Sequence, residues 1–374
     1  LVEVVDSPYG RIDGFNKVEV KELYNFITDL SMPYIIRDYQ FDAVSTGIHR
    51  KRGVLLSPTG SGKSLIIYAL TRWYLENEDK MVLVIVPTTS LVEQMYGDFK
   101  DYGYDVENEV HKIYSGKDKN TTKRVVISTW QSIYKLSRDW FHHFGMVVGD
   151  ECHGFKSKSL MSIMNKASEA EYRFGTTGTL DGAQTHELVL QGLFGKIYRV
   201  TTTKALQDDD TLAKLAIKRI VLDYAEKIRK EFGPRTYQDE IDYIVTHEKR
   251  NNFIKNLAID MKGNTLVLYN YVEKHGKPLF NAIRDKADTS RKVFFVSGDT
   301  QTSDREAIRG IVENQKDAII VASLGTFSTG INIKELHNII FASPSKSQIR
   351  VLQSIGRGLR KSSDGTITQL YDIT

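Results

Sequence analysis

The 374 residues, 41% hydrophobic and 26% charged, have the composition of a soluble globular enzyme, and the length suffices for two domains that each bury a core. Against 51 basic residues stand 47 acidic ones, a net charge of +4 that is compatible with a polyanionic partner but leaves any basic surface to local placement. The single cysteine, Cys152, excludes an intramolecular disulfide and fits a cytoplasmic setting, and apolar runs such as 81–86 and 318–322 fall far short of the roughly 20 residues of a membrane-spanning helix.

The chain opens at Leu1 with no basic stretch leading into an apolar segment, so no signal peptide is read there, and residues 1–31 read as the remnant of an accessory domain. Short β-branched runs then recur at 53–57, 81–86, 124–128, 146–149 and 172–176, separated by helix-like segments. That rhythm predicts parallel strands joined by crossover helices. A second series follows at 216–222, 265–269, 292–296, 318–322, 338–341 and 366–371, so the same α/β architecture is expected twice. The polar stretch 201–210, with three threonines and three consecutive aspartates, predicts a hinge, giving domains at 32–203 and 204–374. The charged segment 227–249, interrupted by Gly233 and Pro234, reads as a surface excursion. No repeat of 20 to 50 residues and no low-complexity tract is apparent.

The strand-like 54–56 runs directly into Ser57-Pro-Thr-Gly-Ser-Gly-Lys-Ser64, and a helix-like segment follows, which is the setting a P-loop requires. Thr59, Gly60, Ser61 and Gly62 turn backbone amides towards phosphate oxygens; Lys63 supplies a charge at the β and γ phosphates, and Ser64 offers a hydroxyl to Mg2+. This predicts binding of ATP or GTP. The bland reading is a glycine-rich turn, which leaves Lys63-Ser64 at the helix entrance unexplained, and Ser57 departs from the glycine that opens the general pattern.

Asp150 and Glu151 follow the apolar run 146–149, where the bland reading is a solvated strand end. In an open parallel sheet ligands bind at the carboxyl ends of strands, so Lys63 and these acids can meet around one nucleotide. Asp150 would hold the metal and Glu151 would orient or deprotonate the attacking water. Cys152 and His153 lack partners at zinc-ligand spacing, and His142-His143 reads as a loop pair.

These residues resemble a superfamily-2 helicase core, with matches spread from about Arg37 to Arg360. Arg37-Asp-Tyr-Gln40 resembles the adenine-recognition element, 87–94 motif Ia, 128–132 the strand-contacting motif, and Asp150-Glu-Cys-His153 the DExH box. Thr177-Gly-Thr179 stands where the family has its Ser-Ala-Thr coupling motif, 323–332 resembles motif V, and 353–360 motif VI. The order of the set makes it specific. Within the superfamily, 326–332, Lys274-His-Gly-Lys277 and Trp130 with Trp140-Phe141 resemble bacteriophage UvsW-type helicases, which act on branched DNA and RNA–DNA hybrids.

The resemblance implies two tandem RecA-like domains with an ATP cleft between them, and ATP with Mg2+ as the fuel. It adds Arg37, Gln40, Gly330 and Asn332 to the nucleotide site, Ser64 and Asp150 as metal ligands, and His153, Thr177 and Thr179 as coupling residues. Thr88, Thr129, Gln131, Ser297, Gly298 and Thr326 fall at positions that grip phosphates without reading bases. Trp130 and Trp140 could stack on bases or belong to the core. Glycine at 178 in place of alanine puts the coupling motif, not hydrolysis, in question. Gln353, Arg357 and Arg360 complete the expected catalytic set with Lys63 and Glu151; the two arginines lie three apart, on one helix face, where they would neutralise charge on the leaving γ-phosphate.

The expected function is therefore a monomeric ATP-dependent DNA helicase or translocase, moving 3′ to 5′ by resemblance, that remodels forked or branched DNA or RNA–DNA hybrids in recombination, repair or replication. Three alternatives stay open: a restriction-type duplex translocase that does not separate strands, a P-loop kinase or transport ATPase, and a nucleotide-gated binding module without turnover. The kinase reading leaves the second domain, Arg357 and Arg360 unexplained.

Overall fold

The computed structural model describes residues 18–180, 183–209, 211–212, 214–232, 235–315, 317–330, 333, 336–344 and 367–374. The chain divides into two units, Leu1–Thr202 and Thr203–Thr374.

The first unit is built on seven strands: β1 (Arg52–Leu56), β2 (Met81–Val86), β3 (Val110–Ile113), β4 (Val125–Thr129), β5 (Phe144–Asp150), β6 (Tyr172–Thr177) and β7 (Ile197–Arg199). They form one sheet in the order β3-β4-β2-β5-β6-β1-β7, and every adjacent pair is parallel. The strands therefore all point their carboxyl ends to one edge. Alternation along β2 divides the core between the two faces: Val82, Val84 and Val86 pack with the helices Lys63–Asn77 and Thr89–Asp101, whereas Leu83 and Ile85 pack with Ile163 and Met164 of Lys158–Lys166. Burial on both faces is why β2 reads as an unbroken apolar run. The helix Val20–Asp29 buries Leu23, Phe26 and Ile27 in the first of these clusters.

The second unit has six strands, β8 (Leu215–Ile220), β9 (Thr265–Tyr269), β10 (Val293–Val296), β11 (Ile319–Ser323), β12 (Asn338–Phe341) and β13 (Thr368–Ile373), ordered β10-β11-β9-β12-β13-β8 and again all parallel. Its two core clusters lie on opposite faces, with Leu266 and Leu268 of β9 in one and Val267 and Tyr269 in the other. Two parallel sheets with apolar clusters on both faces match the expected α/β class.

The structure departs from expectation in three places. β3 and β7 form sheet edges where no apolar run had marked them; β3 carries His111 and Lys112 and β7 has three residues, because an edge strand is not enclosed on all sides. Segment 227–249 is exposed over most of its described residues but is helical and not irregular: it contains most of the helix Glu226–Phe232, the whole of Tyr237–Thr246 and the start of Glu248–Asp260. Ile241 and Val245, four apart, bury one face of the middle helix, and Thr236 with Asp239 forms its capping box. The polar stretch 201–210 contains a short helix, Thr203–Asp208, held by fully buried Leu206.

Candidate active site

The P-loop leaves β1 at Ser57, whose amide donates to Thr177 O at 2.8 Å, continuing the β1–β6 pairing beyond the strand. Gly60 and Gly62 take left-handed φ values of 83° and 77°, which a side chain disfavours. A Cβ on Gly62 would also lie 2.3 Å from Gln40 Nε2. Within the loop Ser61 Oγ donates to Pro58 O at 2.6 Å, which spends its only proton; the 2.6 Å bond between Ser57 and Ser61 hydroxyls is therefore donated by Ser57. The serine that departs from the general pattern thus stiffens the loop from inside.

Gln40 is buried and occupied at both ends: Oε1 accepts from Arg37 N at 2.9 Å and Nε2 donates to Ser61 O at 2.8 Å. Tyr39 OH donates to the same carbonyl at 3.1 Å and receives Arg37 NH1 at 3.0 Å. The expected adenine-recognition element is thereby bonded to the P-loop itself.

Lys63 begins the helix Lys63–Asn77, and its Nζ donates to Ser57 O at 3.3 Å. Ser64 Oγ lies 2.8 Å from Tyr102 OH, a phenol that burial pushes up to about 12. Sequence reasoning missed Tyr102, because it lies 38 residues from Ser64 and is brought there only by the packing of the next helix.

Asp150 ends β5, is 8% exposed, and accepts from Thr176 Oγ1 at 2.7 Å. Burial and the neighbouring Glu151 raise its pKa; Lys63 and the Thr176 hydroxyl act in the opposite direction. A buried carboxylate raised in this way favours an added cation, and the Ser64 hydroxyl is a second hard oxygen, so these residues fit the one or two protein ligands of nucleotide-borne Mg2+. Among the described residues no cluster of three or more His, Cys, Asp or Glu could hold a metal on its own.

Glu151 sits in the left-handed region, at φ 50° and ψ 48°, a strained backbone for glutamate and a kind of outlier that concentrates at active sites. Its Oε2 lies 3.4 Å from both Thr177 Oγ1 and His153 Nδ1. His153 Nδ1 lies 2.9 Å from Thr177 Oγ1, which donates to Thr179 O at 3.0 Å; with that proton spent, Nδ1 is the donor to Thr177. The Thr179 hydroxyl is buried without a hydrogen-bond partner among the described residues. A Cβ on Gly178 would stand 3.5 Å from Ser57 O and 3.6 Å from Lys63 Nζ, so this segment lies directly over the P-loop and has room for alanine. Cys152 is core: fully buried, its thiol pushed well up by burial, it lies against Gly175, where an added Cβ would come within 2.9 Å of Sγ.

The expected phosphate-gripping residues of the first unit lie at the ends of β2 and β4 or just beyond them, where Val86 and Thr129 are register partners. Gln131 is exposed and donates to Pro87 O at 3.4 Å, while Thr88 caps the helix Thr89–Asp101. Thr129 is buried and pairs with Ser132 Oγ at 2.9 Å; Trp130 is half-buried against Tyr134. Trp140 is half-buried; its Nε1 donates to Lys119 O at 2.9 Å and its ring packs on Phe141 and Phe144. In the second unit Ser297 and Gly298 follow β10, and Thr326 lies in the helix Leu324–Gly330 after the neighbouring β11. Gly298 is exposed and Thr326 Oγ1 accepts from Ser323 Oγ at 2.6 Å. Asn332, Gln353, Arg357 and Arg360 lie outside the described residues.

Two family models match the chain: "Type III restriction enzyme, res subunit" over residues 33–182 and "Helicase conserved C-terminal domain" over residues 248–362. The chain is 40% identical over 342 residues to the ATP-dependent DNA helicase uvsW of Enterobacteria phage T4, covering 90% of this chain and 67% of that protein. It is 23% identical over 381 residues to the DNA 3'-5' translocase XPB2 of Sulfurisphaera tokodaii, covering 92% and 84%. Among solved structures, a fragment assigned as the HsdR subunit of a type I restriction enzyme from Vibrio vulnificus shares the fold at 18% identity and a TM-score of 0.67, covering 92% of this chain and 65% of that one.

Proposed function

The chain belongs to the superfamily-2 DExH-box helicases of the UvsW type, and from that premise we propose that it couples ATP hydrolysis to remodelling of forked or branched DNA or of RNA–DNA hybrids. As an ATP-dependent DNA helicase it binds nucleic acid and consumes ATP; the preferred strand structure, action as a monomer, and a place in recombination, repair or replication are parts of the proposal. One observation carries it. The ends of β1, β5 and β6 bring Lys63, Asp150, Glu151 and Thr177 to one sheet edge, while the ends of β2 and β4 on the same edge carry Thr88 and Gln131.

Bound Mg2+ would neutralise the β and γ phosphates and be held by Ser64 and Asp150. Lys63 meets the same phosphates, and the amides of 59–62 cradle them. Glu151, held in its strained backbone, takes the proton of the attacking water. His153 and Thr177 join the acidic box to the segment lying over the P-loop, so a change at the phosphates is felt along that segment. Arg357 and Arg360 are proposed to stabilise charge on the departing phosphate, and Gln353, Gly330 and Asn332 to serve the same nucleotide. Thr129, Ser297, Gly298 and Thr326 join Thr88 and Gln131 as the proposed backbone grip, and Trp130 is proposed to stack on bases.

The test is ATP turnover with and without single-stranded or forked DNA, for wild type and for Lys63→Ala and Glu151→Gln. DNA-stimulated turnover that both substitutions abolish is expected; unstimulated turnover indifferent to them would end the reading. Triplex displacement without fork unwinding would instead favour a duplex translocase.

A further inference from the structure

The two side chains proposed to hold Mg2+ each have a hydroxyl behind them from a neighbouring element: Thr176 behind Asp150 and Tyr102 behind Ser64. Tyr102 ends the helix Thr89–Asp101, where its amide donates to Asp98 O at 3.0 Å, and its hydroxyl lies 2.8 Å from Ser64 Oγ. Among the described residues Ser64 Oγ makes no other hydrogen bond. A serine hydroxyl has one proton and two lone pairs. When its oxygen ligates a cation, a lone pair faces the metal and the proton is driven to the far side, where it needs an acceptor. The Tyr102 oxygen is the acceptor that this chain provides. Without it the Ser64 hydroxyl rotates freely and has to be ordered anew each time a cation arrives.

The position of the phenol is set by packing. Ser64 and Tyr68 lie four residues apart, on one face of the helix Lys63–Asn77, and Phe99 and Tyr102 lie three apart at the end of the next helix. Tyr68 is fully buried, receives Arg72 NH1 on its hydroxyl at 2.9 Å, and meets the rings of Phe99 and Tyr102 at 5.2 Å and 5.3 Å. Tyr34 adds an edge contact with Tyr102 at 5.8 Å. The hydroxyl is therefore delivered to Ser64 by a ring with little freedom left to lose when a ligand binds. A tyrosine that merely satisfied its own hydroxyl could use any buried acceptor, whereas this one is bonded to the hydroxyl that the nucleotide site uses.

We propose that Tyr102 is a positioning residue for metal binding: its hydroxyl accepts the Ser64 proton and so keeps the Ser64 oxygen turned to the Mg2+ carried by the nucleotide. The proposal rests on the helicase reading, since the ATP site is what gives Ser64 a cation to hold. Tyr102 acts through Ser64 alone and is not itself a ligand.

Binding of a fluorescent ATP analogue to the full chain is titrated in EDTA and over a Mg2+ series for wild type, Tyr102→Phe, Ser64→Ala, the double variant and Tyr104→Phe, with circular dichroism and melting to establish folding. In folded Tyr102→Phe the Mg2+ midpoint rises by about tenfold, the size usual for losing the partner behind a metal ligand, while affinity in EDTA stays within about twofold. Tyr104→Phe removes a phenol oxygen of the same aromatic cluster that is not bonded to Ser64, and keeps the wild-type midpoint. In the Ser64→Ala background Tyr102→Phe changes nothing further, since the hydroxyl it orients is gone. A wild-type midpoint in folded Tyr102→Phe, an equal fall of affinity in EDTA, or a loss that persists beside Ser64→Ala overturns the proposal. If Tyr102→Phe does not fold, a ring-fluorinated tyrosine in place of Tyr102 decides: its fluorine NMR signal should move when Mg2+ is added to the nucleotide complex, and should not move in Ser64→Ala. A signal that stays still in both proteins, or moves equally in both, overturns the proposal. Nucleotide binding that Mg2+ does not strengthen in wild type removes the metal-site reading itself, whereas strengthening matched by Tyr102→Phe removes only this inference.

Discussion

Thr176 donates its hydroxyl to Oδ1 of Asp150 at 2.7 Å, and the two residues are register partners on the adjacent parallel strands β6 and β5. The bond fixes the rotation of a carboxylate that burial would otherwise push towards protonation. Asp150 is thus aimed by its neighbour before any cation arrives.

Thr176→Val keeps the volume and removes the donor. A hydrogen bond to a charged group contributes roughly 1.5–3 kcal/mol, so the substitution should raise the Mg2+ concentration for half-maximal ATP turnover by about tenfold or more in a folded protein. Titration of turnover against Mg2+ measures this, and an unchanged midpoint would remove Thr176 from the role.

Gly62→Ala places a side chain at φ 77° and 2.3 Å from Gln40 Nε2. The left-handed backbone alone costs about 1–2 kcal/mol for a residue with a Cβ, and the contact adds to it, so nucleotide affinity should fall by more than about tenfold. Titration with a fluorescent nucleotide reads the loss, and wild-type affinity in Gly62→Ala would show that the loop binds in a different conformation.

His275 makes stability depend on pH. Its folded-state pKa lies near 4, below the ordinary value of 6.5, so between those values the unfolded chain binds the proton and the folded chain does not. The contribution is present above about pH 6.5 and is lost as pH falls towards 4, about 3 kcal/mol across the window. Urea unfolding at pH 7.5 and pH 5 should show the loss in wild type and a smaller one in His275→Ala. Equal pH dependence in the two proteins would mean that the buried ring does not titrate as described.

Arg357→Ala should lower DNA-stimulated turnover by about 10³-fold or more, the range for an arginine that neutralises a departing phosphate, while nucleotide still binds Lys63 and the P-loop. Turnover and nucleotide titration of one preparation separate the effects. A loss smaller than about tenfold would assign Arg357 to packing or to surface charge.

The chain order of apolar runs marked most of what the structure contains. Runs at 81–86, 265–269 and 338–341 coincide with β2, β9 and β12, because parallel strands buried on both faces must be apolar throughout. The glycines of the P-loop and the acids at the end of β5 were legible for a similar reason: left-handed turns and strand-end charges restrict residue type locally. Local signals failed where the requirement was not local. Edge strands β3 and β7 need no continuous apolar run, and the helix Tyr237–Thr246 reveals its buried side only through Ile241 and Val245.

By itself the sequence determined the repeated parallel-sheet architecture and the residue types of a nucleotide site, since strand burial and phosphate contact each demand particular residues at short spacing. Only the tertiary structure decided what holds those residues in place: Gln40 against Ser61, Tyr102 against Ser64, Thr176 against Asp150 and His275 against Ser343. Each of these bonds joins positions 21 to 68 residues apart, and a hydroxyl, amide or imidazole finds its partner through the packing of whole elements, which no local pattern encodes.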